Sequence, residues 1–244
     1  MKELIKEILK NPSIIVVIIG TFFFWCSLYL YVPILPNHSK DLGASATMIG
    51  YIVASYAIGQ VILRIPLGLA VDIWGTKIFA VLTMFCSGVG SFGLFISDGP
   101  IDVFFARLIT GVAGAGWVAI SLLFASQFKK QLLHYASSFM MGINGVAITL
   151  STLLSGRLSD LFGDKTPFLA SLVVSILGMF ILFWAKNEKP NKVKINRKRI
   201  TNILKNNVLL RVSAVAIGFH FVTFGVNFGF LPILIENLGG SKTN

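Results

Sequence analysis

Carboxylates are scarce in this sequence. It has 10 Asp and Glu against 21 Lys and Arg, and none of the ten lies mid-way along a long apolar run. Charged residues make up 13% of the chain, against roughly 25% in soluble domains, which excludes an ordinary water-soluble fold. Cysteine is rare too. Cys26 and Cys86 stand singly inside apolar runs, so they read as small packing residues rather than as a disulfide framework or a metal site. The chain also lacks H-E-x-x-H, G-x-x-x-x-G-K-[ST] and any Ser–His–acid set, so no enzyme chemistry, built-in ATPase, cofactor or metal is expected.

Apolar residues are abundant, at 55% of the chain. They gather into seven runs, at 13–36, 47–69, 77–97, 101–124, 134–156, 167–185 and 208–235. A helix of about twenty apolar residues crosses the hydrocarbon core of a bilayer. The first run is too long for a removed signal peptide and lacks a small-residue cleavage site. The sequence therefore predicts an all-α polytopic membrane protein.

The net charge of +11 is unevenly placed. Lys2, Lys6 and Lys10 precede the first run, Lys77 opens the third, Lys129 and Lys130 join the fourth to the fifth, and KPNKVKINRKR follows the sixth. Before the seventh run, the alternate connections carry only Lys40, Arg157 and Lys165. This bias predicts a cytoplasmic N-terminus in a plasma membrane, with the basic segments against an anionic leaflet. It argues against nucleic acid as the partner.

Between the second and third runs stands GLAVDIWGTK, in which Gly68, Asp72, Gly75 and Lys77 follow the spacing G-x-x-x-D-x-x-G-x-K. Gly68 is expected to end a helix and allow close helix approach, Asp72 to sit in a short loop within reach of a cation or helix end, and Gly75 to take positive φ. The spacing returns in GRLSDLFGDK, Gly156 to Lys165, again after the second run of a group of three. This signature resembles the loop between transmembrane helices 2 and 3 of major facilitator superfamily transporters, although Ile73 and Thr76 stand where that family usually has basic residues. The resemblance implies a six-helix N-terminal bundle made of two three-helix repeats of opposite topology. It divides the chain into the bundle (1–185), a basic cytoplasmic linker (186–207) and a seventh transmembrane helix that starts an incomplete C-terminal bundle (208–244). VPILPNHSKDLGAS (32–45) and LPILIENLGGS (231–241) share a Pro-Ile-Leu exit and a Leu-Gly turn, as equivalent helices of two halves would. Only seven of the family's usual twelve helices are covered, which predicts a truncated chain.

Candidate functional residues lie at membrane depth. Arg107 sits in RLITGVAGAG, and a charge at helix depth costs about 2.5–3.5 kcal/mol, so it either faces the bundle interior with a partner or snorkels outward. Arg107 with Gly111 resembles the fourth-helix signature of proton-coupled antiporters in the family, which implies proton transfer. Arg64, four residues before Gly68 and near Pro66, either belongs to the same resemblance or snorkels to headgroups. Gln60, Asn144, His220 and Asn227 are the further polar candidates, for solute contact or for interhelical hydrogen bonds, with Asn144 the one expected to face the solute or Arg107. Gly142, Gly145 and Gly156 read as helix-packing positions, because the fifth run lacks the proline of the antiporter signature. FFFWCSLYLY (22–31) is expected to line a cavity in part, with Tyr29 and Tyr31 in an interfacial belt.

The function that the resemblance implies is secondary transport of a small organic solute by alternating access, efflux ahead of uptake, with protons as the coupling ion to test. A non-transporting fragment, or a subunit completed by a homo-oligomer or by the missing half, is the rival expectation.

Overall fold

The computed structural model describes residues 2–186 and 205–239. Among them are α1 (Lys2–Lys10), α2 (Pro12–Tyr29), α3 (Leu35–Asp41), α4 (Ala46–Trp74), α5 (Thr76–Ile96), α6 (Pro100–Ala115), α7 (Trp117–Ser126), α8 (Leu133–Phe162), α9 (Thr166–Phe183), α10 (Asn207–His220) and α11 (Leu231–Asn237). A π-helical stretch, Phe221–Phe230, joins α10 to α11. Among the described residues, seven spans are long and apolar enough to cross a membrane: α2, α4, α5, α6 with α7, α8, α9, and α10 through α11. The protein is an all-α polytopic membrane protein. Helices dominate because a span in lipid must satisfy every backbone N–H and C=O within itself. The linker expected at 186–207 falls mostly on 187–204, outside the described residues.

Local chemistry sets the span ends, and it corrects three expected boundaries. The run at 13–36 is not one helix. α2 starts at Pro12 behind Asn11, whose side chain accepts from the Ser13 N–H at 3.1 Å, and it stops at Tyr29. Pro33 cannot donate to the carbonyl four residues back, and the chain restarts as α3 with Pro36 in its first turn. The second correction concerns Gly68. The helix expected to end there runs on through Pro66 and Gly68 to Trp74, so Asp72 is helical and the loop shrinks to Gly75. Likewise α8 passes the expected end at 156 and reaches Phe162. At 29 and 30 residues, α4 and α8 are about 44 Å long, well beyond the ~30 Å hydrocarbon core.

Both motif copies close in one conformation. Gly75 has φ +95° and ψ 158°, and Gly163 has φ +93° and ψ 161°. Each glycine N–H donates 2.9 Å back to the fourth preceding carbonyl, Val71 or Ser159. A side chain is strained at such φ, which is why glycine recurs at this spacing.

The spans pack in the order α4, α6–α7, α5, α9, α2, α8, each mainly on its neighbours in that series. Exchanging the first three spans with the second three reads this order backwards. α4 and α8 are therefore the end helices of the bundle, and each presents one broad open face. A polar seam fastens the centre: Ser27 and Ser87 hydroxyls lie 2.9 Å apart, Ser91 and Ser171 2.7 Å, and Ser171 donates to the Ser27 carbonyl. Such hydrogen bonds hold helices together where no hydrophobic drive exists between lipid and protein. Gly142 and Gly145 do not pack as expected: they lie on the open side of α8, with nothing within 4 Å of a Cβ built on either. The seventh span rests on α3 and α4, with Lys40 Nζ of α3 donating to Asn237 Oδ1 at 3.2 Å. Its exit parallels that of the first span, both ending in a Leu-Gly turn, with φ +89° at Gly43 and +86° at Gly239.

Candidate functional site

Residues three and four apart share a helix face, so Arg107, Thr110, Gly111 and Gly114 line one side of α6, and Tyr56, Gly59 and Gln60 one side of α4. The two faces meet where glycine opposes backbone. A Cβ on Gly59 would stand 2.7 Å from the Leu108 carbonyl oxygen, and one on Gly111 2.9 Å from Tyr56 Cα. That crossing lays the Arg107 guanidinium over the Tyr56 ring, with Cζ 4.3 Å from the ring centre.

Arg107 is 2% exposed. Its Nη1 donates to the Tyr31 hydroxyl at 3.0 Å and to Thr110 Oγ1 at 3.3 Å, while Thr110 Oγ1 donates in turn to the Arg107 carbonyl. Its Nε has no partner. Among the described residues no carboxylate pairs with it. The charge is thus held by two hydroxyls and the faces of Tyr56 and, at 5.5 Å, Tyr31. Cation–π attraction is worth about 2 kcal/mol or more when desolvated, enough to help hold the charge but less than an ion pair can supply at such depth. Gln60, one turn further along α4, brings its Nε2 beside the Tyr56 hydroxyl against Gly114 of α6.

Aromatic side chains extend the site along α2. Trp25 lies 4.8 Å from Trp117 and 5.8 Å from Tyr29, centre to centre, and Phe228 of the seventh span meets Tyr29 edge-on at 5.7 Å. The Trp25 indole N–H is buried without a hydrogen bond. The Gly116 break between α6 and α7 places Trp117 here, because Gly116 abuts Thr83 of α5 too closely for any side chain.

The remaining candidates scatter. Asn144 is half-buried on α8 with Oδ1 unpartnered and makes no hydrogen bond to Arg107, so it does not join this cluster. Beside it, Ile18, Phe22, Tyr135, Phe139, Ile143 and Val146 line an apolar groove of about 560 Å³ between α2 and α8. Arg64 is exposed on α4. Gly68 is only in ordinary contact, with Val118 Cγ1 4.0 Å from a built Cβ, rather than at a close crossing. Asp72 is half-buried and, among the described residues, makes no hydrogen bond or ion pair. Lys77 lies over the Phe183 ring at 5.2 Å instead of pairing with it. His220 is exposed, its Nδ1 2.9 Å from the Ala216 carbonyl of its own helix, and Asn227 is exposed as well. Sequence reasoning missed Tyr56, Thr110 and Trp117, and it misplaced Tyr29 and Tyr31. Both tyrosines are buried rather than interfacial, because the chain bends at 30–34 and turns Tyr31 inward to Arg107.

Among the described residues, the inner spans of this helical membrane protein bury the Arg107 cation among aromatic rings with no carboxylate beside it. The family follows from comparison. The profile of the Major Facilitator Superfamily matches residues 17–243, and the chain belongs to that family. An uncharacterized MFS-type transporter of Methanocaldococcus jannaschii is 30% identical over 202 residues, covering 79% of this chain and 51% of the relative. The class H tetracycline resistance protein of Pasteurella multocida is 27% identical, covering 81% and 50%. The nitrite extrusion protein of Bacillus subtilis is 24% identical, covering 91% and 55%. The chain spans about half the length of the curated relatives it matches.

Proposed function

We propose that this chain is the N-terminal bundle and seventh helix of a secondary transporter that moves a small organic solute by alternating access, in the direction of efflux. The buried Arg107 cluster, in which α6 meets Tyr56 of α4 and Tyr31 just past the end of α2 with no carboxylate partner among the described residues, carries this reading. Family membership supports the transport class, and the name of the Bacillus relative, an extrusion protein, supports export. In this reading the N-terminus is cytoplasmic in a plasma membrane, and a proton gradient supplies the energy. Arg107 orients the solute or passes the coupling charge, and Trp25, Tyr29 and Trp117 offer flat apolar contact. Asp72 acts at the cytoplasmic end of α4 in the opposite closure state. Because the buried Arg107 charge has no carboxylate partner among the described residues, solutes bearing an anionic group are favoured over cations.

The test is reconstitution into liposomes and pH-gradient-driven flux of matched anionic, neutral and cationic aromatic probes, with Arg107→Ala as control. Saturable flux of the anionic probe, lost in the variant, is expected. No gradient-dependent flux of any probe from well-inserted protein would refute transport by this chain. Flux favouring the cationic probe would refute the charge preference alone.

A further inference from the structure

We infer that α1 is an in-plane anchor that docks on an anionic lipid surface, separately from the membrane-spanning bundle. Five of its nine residues, KELIKEILK, are charged, so it cannot enter the hydrocarbon core as the spans do. It is not a straight extension of α2 either. Asn11 leaves helical geometry at φ −119° and ψ 99°, and the chain turns there.

Placed at about 100° per residue, the side chains of α1 fall into four sectors in rotational order. Ile8 packs against the bundle core. Next round come Ile5 and Leu9, 51% and 74% exposed among the described residues. Lys6 and Lys10 follow, both exposed, and then Glu3 and Glu7. Protein, acyl chain, headgroup and water are met in that order by a helix lying flat at a membrane interface.

Tertiary contacts fix this orientation. Glu7 Oε2 pairs with Lys129 Nζ at 3.4 Å in the connection between α7 and α8. Just past the turn, Ser13 Oγ donates to Gln127 Oε1 at 2.7 Å and accepts from the Lys186 backbone N–H at 2.9 Å. Three stretches distant in sequence therefore meet at one end of the bundle, and they bring Lys6, Lys10, Lys129 and Lys186 to one foot. Only Lys129 among these has a carboxylate partner among the described residues. The exposed Ile5–Leu9 strip with free lysines on its flank complements acidic headgroups over acyl chains.

The test uses the full chain with Cys26 and Cys86 replaced by alanine and a nitroxide label on Leu9→Cys or, as reference, Glu3→Cys. The protein is placed in nanodiscs of phosphatidylcholine alone or of phosphatidylcholine with phosphatidylglycerol. Accessibility to oxygen against a water-soluble nickel chelate reads the depth of the label. In the anionic discs the Leu9 label is expected below the headgroups and the Glu3 label in water. Lys6→Gln and Lys10→Gln should each weaken insertion about fivefold. These surface substitutions leave the core untouched, and unchanged tryptophan emission verifies the fold. A Leu9 label equally water-exposed in both lipid compositions would overturn the inference, as would insertion indifferent to lipid charge and to both lysines. Neither result depends on transport, so the proposed function stands or falls separately.

Discussion

Replacing Gly111 by alanine tests how the site is assembled. A Cβ there would lie 2.9 Å from Tyr56 Cα and 3.0 Å from Tyr56 C, both backbone atoms that no rotamer change can move. Carbon atoms rest about 3.5–4.0 Å apart, so α4 and α6 must separate by roughly half an ångström or more. Overpacking of this kind costs about 1–3 kcal/mol. The same separation lifts the Tyr56 ring from Arg107, so solute handling should suffer along with stability. Gly145→Ala supplies the contrast. It is also a mid-helix glycine, but with open space around it, and removal of backbone freedom should stabilise by about 0.5–1 kcal/mol. Equilibrium unfolding in mixed micelles, followed by tryptophan emission, reads both variants against the parent. A neutral Gly111→Ala, or a Gly145→Ala that destabilises as much, would refute the close crossing as the device that positions Arg107.

Three other outcomes can be measured. Tyr31→Phe removes one acceptor from a buried guanidinium and should cost about 1.5–3 kcal/mol in the same unfolding assay, whereas Tyr51→Phe, on the exposed face of α4, should change nothing measurable. Gly75→Ala and Gly163→Ala each force a side chain into a glycine-only backbone region and should each cost about 1–3 kcal/mol, with effects that add because the two turns are far apart. Asp72→Asn breaks no hydrogen bond or ion pair among the described residues, so stability should stay within about 0.5 kcal/mol while the turnover of reconstituted protein falls; unchanged initial flux would remove Asp72 from the gating role proposed for it.

Composition and spacing made much of the fold legible, because lipid leaves a chain few options. Seven apolar runs became seven spans, and the paired glycines of the repeated motif, Gly75 and Gly163, took matching turns. What escaped the sequence depends on three-dimensional register. Gly68 and Asp72 read locally as a helix end and a loop, yet residues 70–74, AVDIW, continue α4 to Trp74. Arg107 was conspicuous as a charge in an apolar run, but its partners are a tyrosine inside the helix break at 30–34 and another on a different span. No local pattern links those three positions. Asn144 shows the opposite limit: polarity at depth marks a residue but not its partner, and Asn144 makes no hydrogen bond to Arg107 among the described residues.

The interruptions in the spans are not spread evenly. The first member of every three-span group is broken or widened: α2 gives way at 30–34, α6 yields to α7 at Gly116, and the seventh span is π-helical from Phe221 to Phe230. The second and third members, α4 with α5 and α8 with α9, are long unbroken rods joined by tight turns, with Gly75 alone between the first pair. Mechanically the bundle is two stiff levers and three compliant struts. A lever with a one-residue elbow transmits displacement from one face of the bilayer to the other with almost no slack, and the struts take up the bending. Arg107, Trp117, Tyr29, Tyr31 and Phe228 all sit on struts, so the side chains that would grip a solute are mounted where the molecule yields most easily.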